Sequence, residues 1–594
     1  MAAKTVDPIT LDIIENALKN ARYEMDSIVC RISLSPVIRE QHDEYPMICD
    51  AKGRMIVGQF GSYIPGVIEK YGTDINEGDI FVWNDPYTCA GSVSHLNDWC
   101  VMLPIFYHGD LIGFSSIFGH MIDVGGKVPG SMPGDARTIW EEGLRIPPVK
   151  IYEKGVLNRG VHDIMLNNTR TPDMNRSDLT ALIAGCKTAA TRVRELCDRF
   201  GIDTYQQACE QLFDRTRDAM QQLIFKYIPE EPVSFTDYID DDGRGNGPFK
   251  LHLSIHRRGN IAVFDWTGTD AQADGPVNFH IHEGLCKLFF GVYMIMAFDP
   301  NILFNEGFYD IFEVIMPEGT LLNPRFPAAL SNRLNTHTRF FDCQAGALGQ
   351  RAPQLSMAAG YGTSPHFIFT GHDKGGKWFQ VMELLFGGVP GRPKGDGLDG
   401  HAWWPLFSAT PIEYIENYYP IRVESYRPVR DTGGAGLHRG GCGIEKIYVM
   451  LEPGEISIHD DRETVAPWGI NGGLHGGTSS KWVVRKGQSE PERIPSKIDA
   501  FKVAAGDRII FRTAGSGGWG DPLLRDPEFV ARDVRYGVVS AEAARAGYGV
   551  VLNTAGRVEA AATKTLRAET SARRGPAPTF DLSPYMQQLM DAAE

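Results

Sequence analysis

The sequence predicts an α+β protein with several lobes, in which helical N-terminal segments accompany mixed or antiparallel sheets and the C-terminal half is rich in strands. Three observations predict this class. Apolar residues recur at helical spacing in several N-terminal stretches, and short apolar runs punctuated by Gly and Pro dominate the later sequence. The chain of 594 residues is also too long for a single hydrophobic core.

We divide the chain into three predicted domains. Residues 1–230 form an N-terminal α+β domain, which carries the candidate metal site described below. Residues 231–530 form a β-rich domain, and residues 531–594 form a C-terminal helix and an extended tail. The stretch IPEEPVSF, residues 228–235, is typical of a linker and places the first boundary.

The first predicted helix covers residues 8–32. Asp7 can cap it, and Pro8 suits its first turn because the missing N–H is not needed there. The apolar positions that form one stripe at 3–4-residue spacing are Leu11, Ile14, Leu18, Ala21, Met25, Ile28 and Ile32. This stripe indicates a helix that packs one face against a core.

Two more helices are predicted before the linker, after a stretch of short strands and loops. The first covers residues 178–200, where Ser177 can cap the start and Gly201 ends the helix. The second covers residues 204–227.

Strands are predicted to dominate the rest of the chain. Residues 251–268 and 366–384 each have the pattern of a β-hairpin, and Gly259 lies near the turn of the first. A helical piece near residues 284–298 interrupts the strands. The tail from about residue 555 is rich in Ala, Thr, Arg and Pro, and we expect it to be extended.

Composition excludes several classes of protein. A net charge of −15 argues against a nucleic-acid backbone or an anionic membrane as the main partner. No stretch approaches the ~18 uninterrupted apolar residues of a membrane span. The N-terminus shows no leader pattern, and the ten cysteines contain no C-x-x-C pair, as in reduced cytosolic proteins. We therefore expect a cytoplasmic protein.

One predicted hairpin brings together residues that could hold a metal. The runs VMLPIF and LIGFSSIF flank YHGD, so a two-residue turn falls at His108 and Gly109. Residue 120 then lies opposite residue 97, within one position. His95 and Asp98 flank the position that faces His120, provided that the chain before the strand curls, because strict alternation would separate them.

Two imidazoles and one carboxylate suit Mn, Fe or Zn with open coordination positions. Asp123 could orient His120 by hydrogen bonding to it without binding the metal itself. The competing interpretation is that His95 and His120 are unrelated loop residues. From spacing alone that interpretation is the stronger one, because H-x-x-D is a common pattern.

Two glycine motifs resemble phosphate-binding loops but fail in detail. GHDKGGK, residues 371–377, is followed by Trp378 where a Ser or Thr should bind Mg²⁺, and its context is a hairpin turn. GSGGWG, residues 515–520, is not followed directly by a helix, which we expect to begin only near Asp526. The polar pairs to which we assign structural roles are His42-Asp43, His280-x-His282 and Asp460-Asp461.

Four stretches resemble the hydantoinase B family, from about Asp7 to about Pro522. They read NDPYTCAGSVSHLNDW, GHMIDVGGKVPGSMPGDARTIWEEGLRIPPVKIYEKGVLN, RPVRDTGGAGLHRGGCG and TAGSGGWGDP. The family includes subunits or domains of ATP-dependent hydantoinases and oxoprolinases, caprolactamase, and a subunit type of acetone and acetophenone carboxylases. The resemblance implies a divalent metal, Zn, Mn or Fe, on His95, Asp98 and His120, and with it we favour the ligand interpretation.

The resemblance also implies partners. Family members work with a hydantoinase A-type subunit that binds ATP, so ATP-Mg is expected on that partner and not on this chain. Small accessory subunits can complete such a complex. The partner would phosphorylate an enol or amide oxygen, or bicarbonate, and the activated species would react at the metal pocket. The residues identify no general base.

One departure from the family bears on the reaction. Hydantoinase-like members commonly have Gly-His-His-Ala-Asp where this chain has Gly-His-Met-Ile-Asp at residues 119–123, and acetone carboxylases also lack the second histidine. The leading hypothesis is therefore a catalytic subunit of an ATP-dependent ketone carboxylase of the acetophenone type. The alternatives are a subunit that hydrolyses a cyclic amide (a hydantoin, oxoproline or lactam), and a scaffold subunit without catalysis.

Overall fold

The computed structural model of the protein describes residues 5–403 and 407–593. The chain forms two compact units. The first unit contains the chain up to Pro232 together with His256–Asp265 and Ala271–Arg333. The second contains Val233–Ile255, Trp266–Asp270 and the chain from Leu334. The three-domain division drawn from the sequence stays a prediction.

Helices and strands are numbered along the chain. The helices are α1 (Pro8–Ile32), α2 (Pro36–Arg39), α3 (Pro65–Tyr71), α4 (Arg159–Asn167), α5 (Pro172–Phe200), α6 (Ile202–Tyr227), α7 (Glu283–Phe298), α8 (Leu334–Arg351), α9 (Ile412–Tyr418), α10 (Pro527–Arg535), α11 (Ala541–Tyr548), α12 (Ala560–Arg574) and α13 (Pro584–Ala593). The strands are β1 (Glu44–Asp50), β2 (Met55–Val57), β3 (Ile80–Trp83), β4 (Asp98–Tyr107), β5 (Asp110–His120), β6 (Val149–Glu153), β7 (Val156–Leu157), β8 (Val233–Ile239), β9 (Phe249–Arg258), β10 (Ile261–Asp265), β11 (Phe312–Ile315), β12 (His366–His372), β13 (Trp378–Leu384), β14 (Ile421–Pro428), β15 (Ile444–Met450), β16 (Gly454–His459), β17 (Gly469–Ile470), β18 (Ser480–Val484), β19 (Glu492–Ile494), β20 (Lys497–Val503), β21 (Arg508–Arg512) and β22 (Phe580–Asp581).

The first unit packs long helices on a seven-stranded sheet of order β2-β1-β5-β4-β3-β6-β7. The neighbouring strands in this sheet are antiparallel. Apolar faces of α1, α5 and α6 share one core with the central strands. The predicted α+β class with antiparallel sheets is therefore confirmed, and β4 and β5 lie at the centre of the sheet that carries the site.

Helix α1 has the predicted bounds. Asp7 caps it, since the Asp7 carboxylate accepts a hydrogen bond from the Thr10 N–H at 3.0 Å. The stripe from Leu11 to Met25 is buried, but in the last turns Val29 takes the inward position and Ile32 is exposed. The 3.6-residue period causes this drift, because a stripe read at fixed spacing slips around the helix.

Helix α5 begins earlier than predicted. It starts at Pro172 instead of residue 178, because proline is favoured in the first turn of a helix. Gly201 ends it with a φ of +84°, a conformation that glycine adopts without steric cost. Helix α6 follows at once, from Ile202.

The second unit contains a four-stranded sheet of order β13-β12-β16-β20 and a five-stranded sheet of order β14-β15-β21-β18-β19. The hairpin predicted over residues 366–384 is present, with β12 and β13 antiparallel around the turn at residues 373–377. The hairpin predicted over residues 251–268 corresponds to β9 and β10, which are hydrogen-bonded neighbours in a separate four-stranded sheet. Helix α8 was not predicted. Its residues from Asn335 to Gly349 are buried on every side, so no amphipathic stripe marks the helix in the sequence.

The expectation of an extended tail is wrong. Residues 560–574 form α12 and residues 584–593 form α13. Ala, Arg and Lys in this stretch are strong helix formers, and the content of Thr and Pro masked that preference. Among the described residues, the helices are all too short or too polar to cross a membrane.

Candidate metal centre

The hairpin of β4 and β5 places Asp98 directly opposite His120. The predicted register had residue 97 in that position. The difference of one residue comes from a bulge between Ile105 and Phe106, which shifts every pair beyond it toward the open end of the hairpin. The prediction that His95 and Asp98 converge on His120 holds within its stated tolerance.

His95 precedes the strand, in a bent segment of residues 91–97. The side chain of Asn97 fixes this bend by donating hydrogen bonds to the carbonyl oxygens of Met121 and Gly130, both at 3.0 Å. The backbone of Asn97 also accepts from the Met121 N–H at 2.8 Å. The segment therefore curls, as the sequence required, and His95 lies on the same side as Asp98.

The three predicted ligands form one compact, buried group. His95 Nε2 lies 2.8 Å from Asp98 Oδ1, and His120 Nδ1 lies 3.4 Å from the same oxygen. Potential ligand atoms of the three residues all lie within 4.8 Å of one another. Only 1%, 6% and 4% of the His95, Asp98 and His120 side chains is exposed.

Proximity in this group is not the same as hydrogen bonding. Among the described residues, neither ring nitrogen of His95 makes a hydrogen bond, although Nε2 is close to the Asp98 carboxylate. Nε2 of His120 is also buried without a partner. Buried ring nitrogens that lie close to a carboxylate but lack hydrogen-bond partners are available to bind a metal ion. The group therefore suits a divalent cation with N and O ligands.

The electrostatics keep the ligands in the protonation states that a metal needs. Burial lowers the pKa of His95 to about 3, and the nearby Arg333 guanidinium acts in the same direction, so the imidazole is neutral. Burial alone would raise the pKa of Asp98, but His95, His120 and Arg333 together hold it well below its usual range. A neutral imidazole and an ionised carboxylate are the metal-binding forms of these side chains.

Asp43 belongs to the same site, and sequence reasoning missed it. Its carboxylate Oδ2 lies 3.6 Å from His120 Nδ1, and its backbone oxygen accepts from the His120 N–H at 3.0 Å. Burial raises the pKa of Asp43 to about 7, against the effect of His120. From the sequence we assigned Asp43 a structural role. The pairing of β1 with β5 brings it to the hairpin, and this pairing is not visible in the sequence.

Arg333 was also missed. Its Nη2 lies 3.5 Å from Asp98 Oδ2, and its Nε donates to the Ser94 hydroxyl at 2.8 Å. The guanidinium is buried, and among the described residues its Nη1 makes no hydrogen bond. No motif in the sequence around Arg333 signals this position, which is far along the chain from the hairpin.

Asp123 does not take the predicted role behind His120. Its carboxylate accepts hydrogen bonds from the N–H groups of Gly125, Gly130 and Arg170, and the Arg170 guanidinium donates to it at 2.9 Å. Asp123 therefore organises the loop that follows β5. Met121 points into the apolar core of the unit.

The rejected phosphate motifs are loops in the structure. Residues 373–377 form the turn between β12 and β13, and helix α10 begins only at Pro527, capped by Asp526. His282 caps helix α7 by accepting from the Gly284 N–H at 3.0 Å, which is a structural role as predicted. These results leave the group around Asp98 as the candidate centre.

Comparison with known proteins gives a consistent result. A family model described as hydantoinase B/oxoprolinase matches residues 7–522. The B-type subunit of a putative D-/L-hydantoinase of Pseudomonas sp. (strain NS671) is 32% identical over 590 residues, which is 95% of this chain and 98% of that protein. The beta chain of the caprolactamase of Pseudomonas jessenii is also 32% identical, over 95% of this chain and 99% of its own length.

Two solved structures share the fold. The ATP-dependent caprolactamase of Pseudomonas jessenii superposes with a TM-score of 0.86 at 29% identity, over 95% of this chain and all of that chain. Nucleotide-free acetone carboxylase superposes with a TM-score of 0.85 at 20% identity, over 99% of this chain and 85% of that chain. At that identity the second likeness concerns the fold alone.

Proposed function

The chain belongs to the hydantoinase B/oxoprolinase family, and from this premise we propose that it is the catalytic subunit of an ATP-dependent enzyme that acts on a carbonyl group. The observation that carries the proposal is the convergence of His95, Asp98 and His120 in one buried group, in which both ring nitrogens of His95 and Nε2 of His120 have no hydrogen-bond partner among the described residues. These three residues would hold one divalent ion. The donor set suits Zn, Mn or Fe.

The chemistry of the bound ion would be that of a Lewis acid, which polarises a carbonyl oxygen or stabilises a developing enolate. The protein residues have separate tasks. Asp43 fixes the orientation of His120 through its carbonyl oxygen and its carboxylate. Arg333 adds a fixed positive charge beside Asp98. Its Nη1, which makes no hydrogen bond among the described residues, suits an anionic group such as a phosphate or bicarbonate.

The activation step is assigned to a partner. Neither glycine motif in the described residues precedes a helix in the way a nucleotide phosphate site requires. ATP-Mg would bind to a hydantoinase A-type subunit, with small accessory subunits where the complex needs them. Two relatives are each named as one of several subunits of an enzyme, which supports an assembly of unlike chains.

Ketone carboxylation is the first candidate reaction, with an aryl ketone such as acetophenone as the substrate and bicarbonate as the carbon source. It is supported by Met121, which stands where hydantoinase-like sequences have a second histidine. Met121 lies in the apolar core, so the replacement leaves the three ligands intact while it removes an ionisable group next to them. A carbon nucleophile needs no group to deprotonate water.

Opening of a cyclic amide by water is the second candidate reaction. It is supported by the hydantoinase and caprolactamase relatives, each 32% identical along nearly the whole chain. Both candidates share the same site and the same partner. They differ in the bond that forms: in carboxylation the enol carbon of the ketone attacks the carbon of activated bicarbonate, and in hydrolysis water attacks the activated amide carbonyl group.

One assay separates the candidates. The purified chain is combined with its A-type subunit, ATP and labelled bicarbonate, and is offered either a ketone or a cyclic amide. Label in an acid-stable carboxylate formed from the ketone supports carboxylation, and ATP-linked ring opening without label supports hydrolysis. If the His120→Ala variant still forms product, this chain is not catalytic. That result would instead fit the alternative of a scaffold subunit. His372→Ala is the matched control, because His372 is exposed at the end of β12.

A further inference from the structure

A second group of metal-ligand types lies beside the candidate centre along the chain. Cys30 is near the end of α1, His42 follows α2, and Glu44 is the first residue of β1. We propose that these three residues form a second site for a divalent ion, suited to zinc, that fixes the backbone on both sides of Asp43. The inference is independent of the proposed reaction.

The geometry supports a site built from three different segments. Cys30 Sγ lies 3.0 Å from His42 Nδ1 and 3.2 Å from Glu44 Oε1, and His42 Nδ1 lies 3.7 Å from that oxygen. Potential ligand atoms of all three lie within 4.8 Å of one another. Thiolate, imidazole and carboxylate are the three side-chain ligand types that zinc takes in proteins.

Buried carboxylate oxygens provide a second observation. The Glu44 side chain is 1% exposed, and its Oε2 makes no hydrogen bond among the described residues. Asp26 lies one helical turn before Cys30 on α1, and its buried Oδ1 is likewise without a partner. The Asp26 carboxylate has Arg22 at 3.1 Å, whereas the partners that the described residues place beside the Glu44 carboxylate are the Cys30 thiol and the His42 imidazole. A buried carboxylate normally has a cation or several donors, so this group suits a cation.

A hydrogen-bonded cluster without metal is the alternative. In that cluster the Cys30 thiol donates to Glu44, and burial together with the Glu44 charge raises the pKa of Cys30, so the sulfur keeps its proton. When a divalent ion binds, it replaces the thiol proton, which leaves to solvent. The thiolate and the Glu44 carboxylate then neutralise the two positive charges. Water can complete a tetrahedral set.

Access to this site distinguishes Cys30 from the other thiols. All ten cysteines are free, nine are buried, and Cys30 alone is partly exposed. The His42 side chain is 39% exposed, so an ion can reach the cluster from solvent. His42 has a φ of +58°, a left-handed conformation that is uncommon outside glycine, and its Nδ1 lies against the Cys30 sulfur.

The two sites share a backbone segment. Asp43 lies between the ligands His42 and Glu44, and its carbonyl oxygen accepts the hydrogen bond of the His120 N–H. An ion that ties residues 42 and 44 to the end of α1 would hold Asp43 in position. The second ion would therefore have a structural role that extends to the first centre.

Cobalt substitution tests the inference, because Co²⁺ bound to a thiolate has a near-ultraviolet charge-transfer band that imidazole and carboxylate ligands do not produce. The full chain is stripped of metal and titrated with Co²⁺, and bound metal is counted in parallel. We expect two ions per chain and the thiolate band. Cys30→Ser should lose the band and one ion, whereas His120→Ala should lose the other ion and keep the band.

Control variants distinguish the loss of a metal ligand from unfolding of the protein. Cys89→Ser alters a buried thiol outside the cluster and should leave the band unchanged. His42→Asn, at a partly exposed position, should weaken the band if Cys30→Ser fails to fold. A cobalt-saturated chain without a thiolate band, or a folded Cys30→Ser variant that keeps it, would overturn the second site. Neither result would affect the reaction proposed for the first centre.

Discussion

Two buried groups of charged side chains, one in each unit, use burial in opposite ways. In the second unit Arg462 donates to Asp237 at 2.9 Å and to Asp342 at 2.7 Å, and Lys497 lies 2.9 Å from Asp461. Each of these carboxylates has a cationic partner within the group. The charges of this group are paired with one another and serve the fold.

The group in the first unit is equally buried, but its carboxylate has different partners. His95 Nε2 and Asp98 Oδ1 are 2.8 Å apart, yet neither ring nitrogen of His95 makes a hydrogen bond among the described residues. The comparison shows that burial of charge does not by itself identify a site. What separates the two groups is the partner of each carboxylate: permanent cations hydrogen-bond to Asp237 and Asp342 in the second unit, whereas in the first unit two imidazoles converge on one oxygen of Asp98.

The largest effect is expected from breaking the ion pairs of the second unit. Arg462→Ala would leave Asp237 and Asp342 buried without their main cation, which should lower the free energy of unfolding by about 3–5 kcal/mol. Urea denaturation measures this change. Arg422→Ala, at an exposed position on β14, is the control and should change stability by less than about 0.5 kcal/mol. If the two variants were equally stable, the buried ion pairs of Arg462 would not contribute to the stability of the fold.

The next effect concerns metal binding. His120→Ala should reduce metal affinity by more than about 100-fold, because the loss of a ligand exceeds the loss of a residue that only orients one. The free energy of unfolding of the metal-free chain should change little, since an open catalytic site does not hold the fold together. Metal analysis after dialysis and a urea titration give the two values. If the variant lost most of its free energy of unfolding but kept its metal, His120 would have a structural role, like the ion pairs of the second unit, and would not be a ligand.

A smaller effect is expected at the residue that supports the ligand. Asp43→Asn keeps the shape and the backbone hydrogen bond to His120, but removes the carboxylate charge 3.6 Å from its ring. Metal affinity should fall by about 10–100-fold. Competition with a coloured chelator measures the affinity. Asp163→Asn provides the matched control, because Asp163 is exposed on α4 beside His162. An unchanged affinity in Asp43→Asn would remove Asp43 from the site.

The smallest effect concerns Glu306, a buried carboxyl group without a cationic partner among the described residues. Burial raises the pKa of Glu306 to about 7 from the usual 4.5. Between these values the folded state holds the proton while the unfolded state has lost it. The stabilisation is therefore complete below pH 4.5 and is lost as the pH rises through about 7.

Glu306→Gln should remove this part of the pH dependence, an effect of about 1–3 kcal/mol. Denaturation midpoints measured across that pH range for the wild type and the variant test it. A variant whose midpoints follow those of the wild type would show that Glu306 titrates normally. The pKa of Asp98 moves in the opposite direction, although Asp98 is as deeply buried, because positive and neutral ligand groups surround it.

Local signals in the sequence predicted the parts of the fold that depend on neighbouring residues. The bounds of α1 followed from a capping aspartate, a first-turn proline and one apolar stripe. The register of the β4–β5 hairpin was wrong by one residue because its bulge depends on packing in three dimensions. Helix α8 escaped prediction because it is buried on all sides, and the tail because its helix formers were outweighed by Thr and Pro.

For the candidate site too, the sequence predicted the residues that lie near one another in the chain and missed the distant ones. His95, Asp98 and His120 belong to one hairpin, so a turn and a strand period were enough to bring them together. Asp43 and Arg333 reach the site from other parts of the chain, and neither has a local pattern that reveals it. Long-range contacts of this kind require the structure.

The most direct test of the account is an X-ray anomalous difference map of the chain, crystallised after loading with Zn²⁺ and measured on both sides of the zinc absorption edge. The account predicts a peak at about 2.0–2.2 Å from a ring nitrogen of His95, a ring nitrogen of His120 and an oxygen of Asp98. A fully loaded crystal without density at that point, with the three side chains hydrogen-bonded to one another, would contradict it.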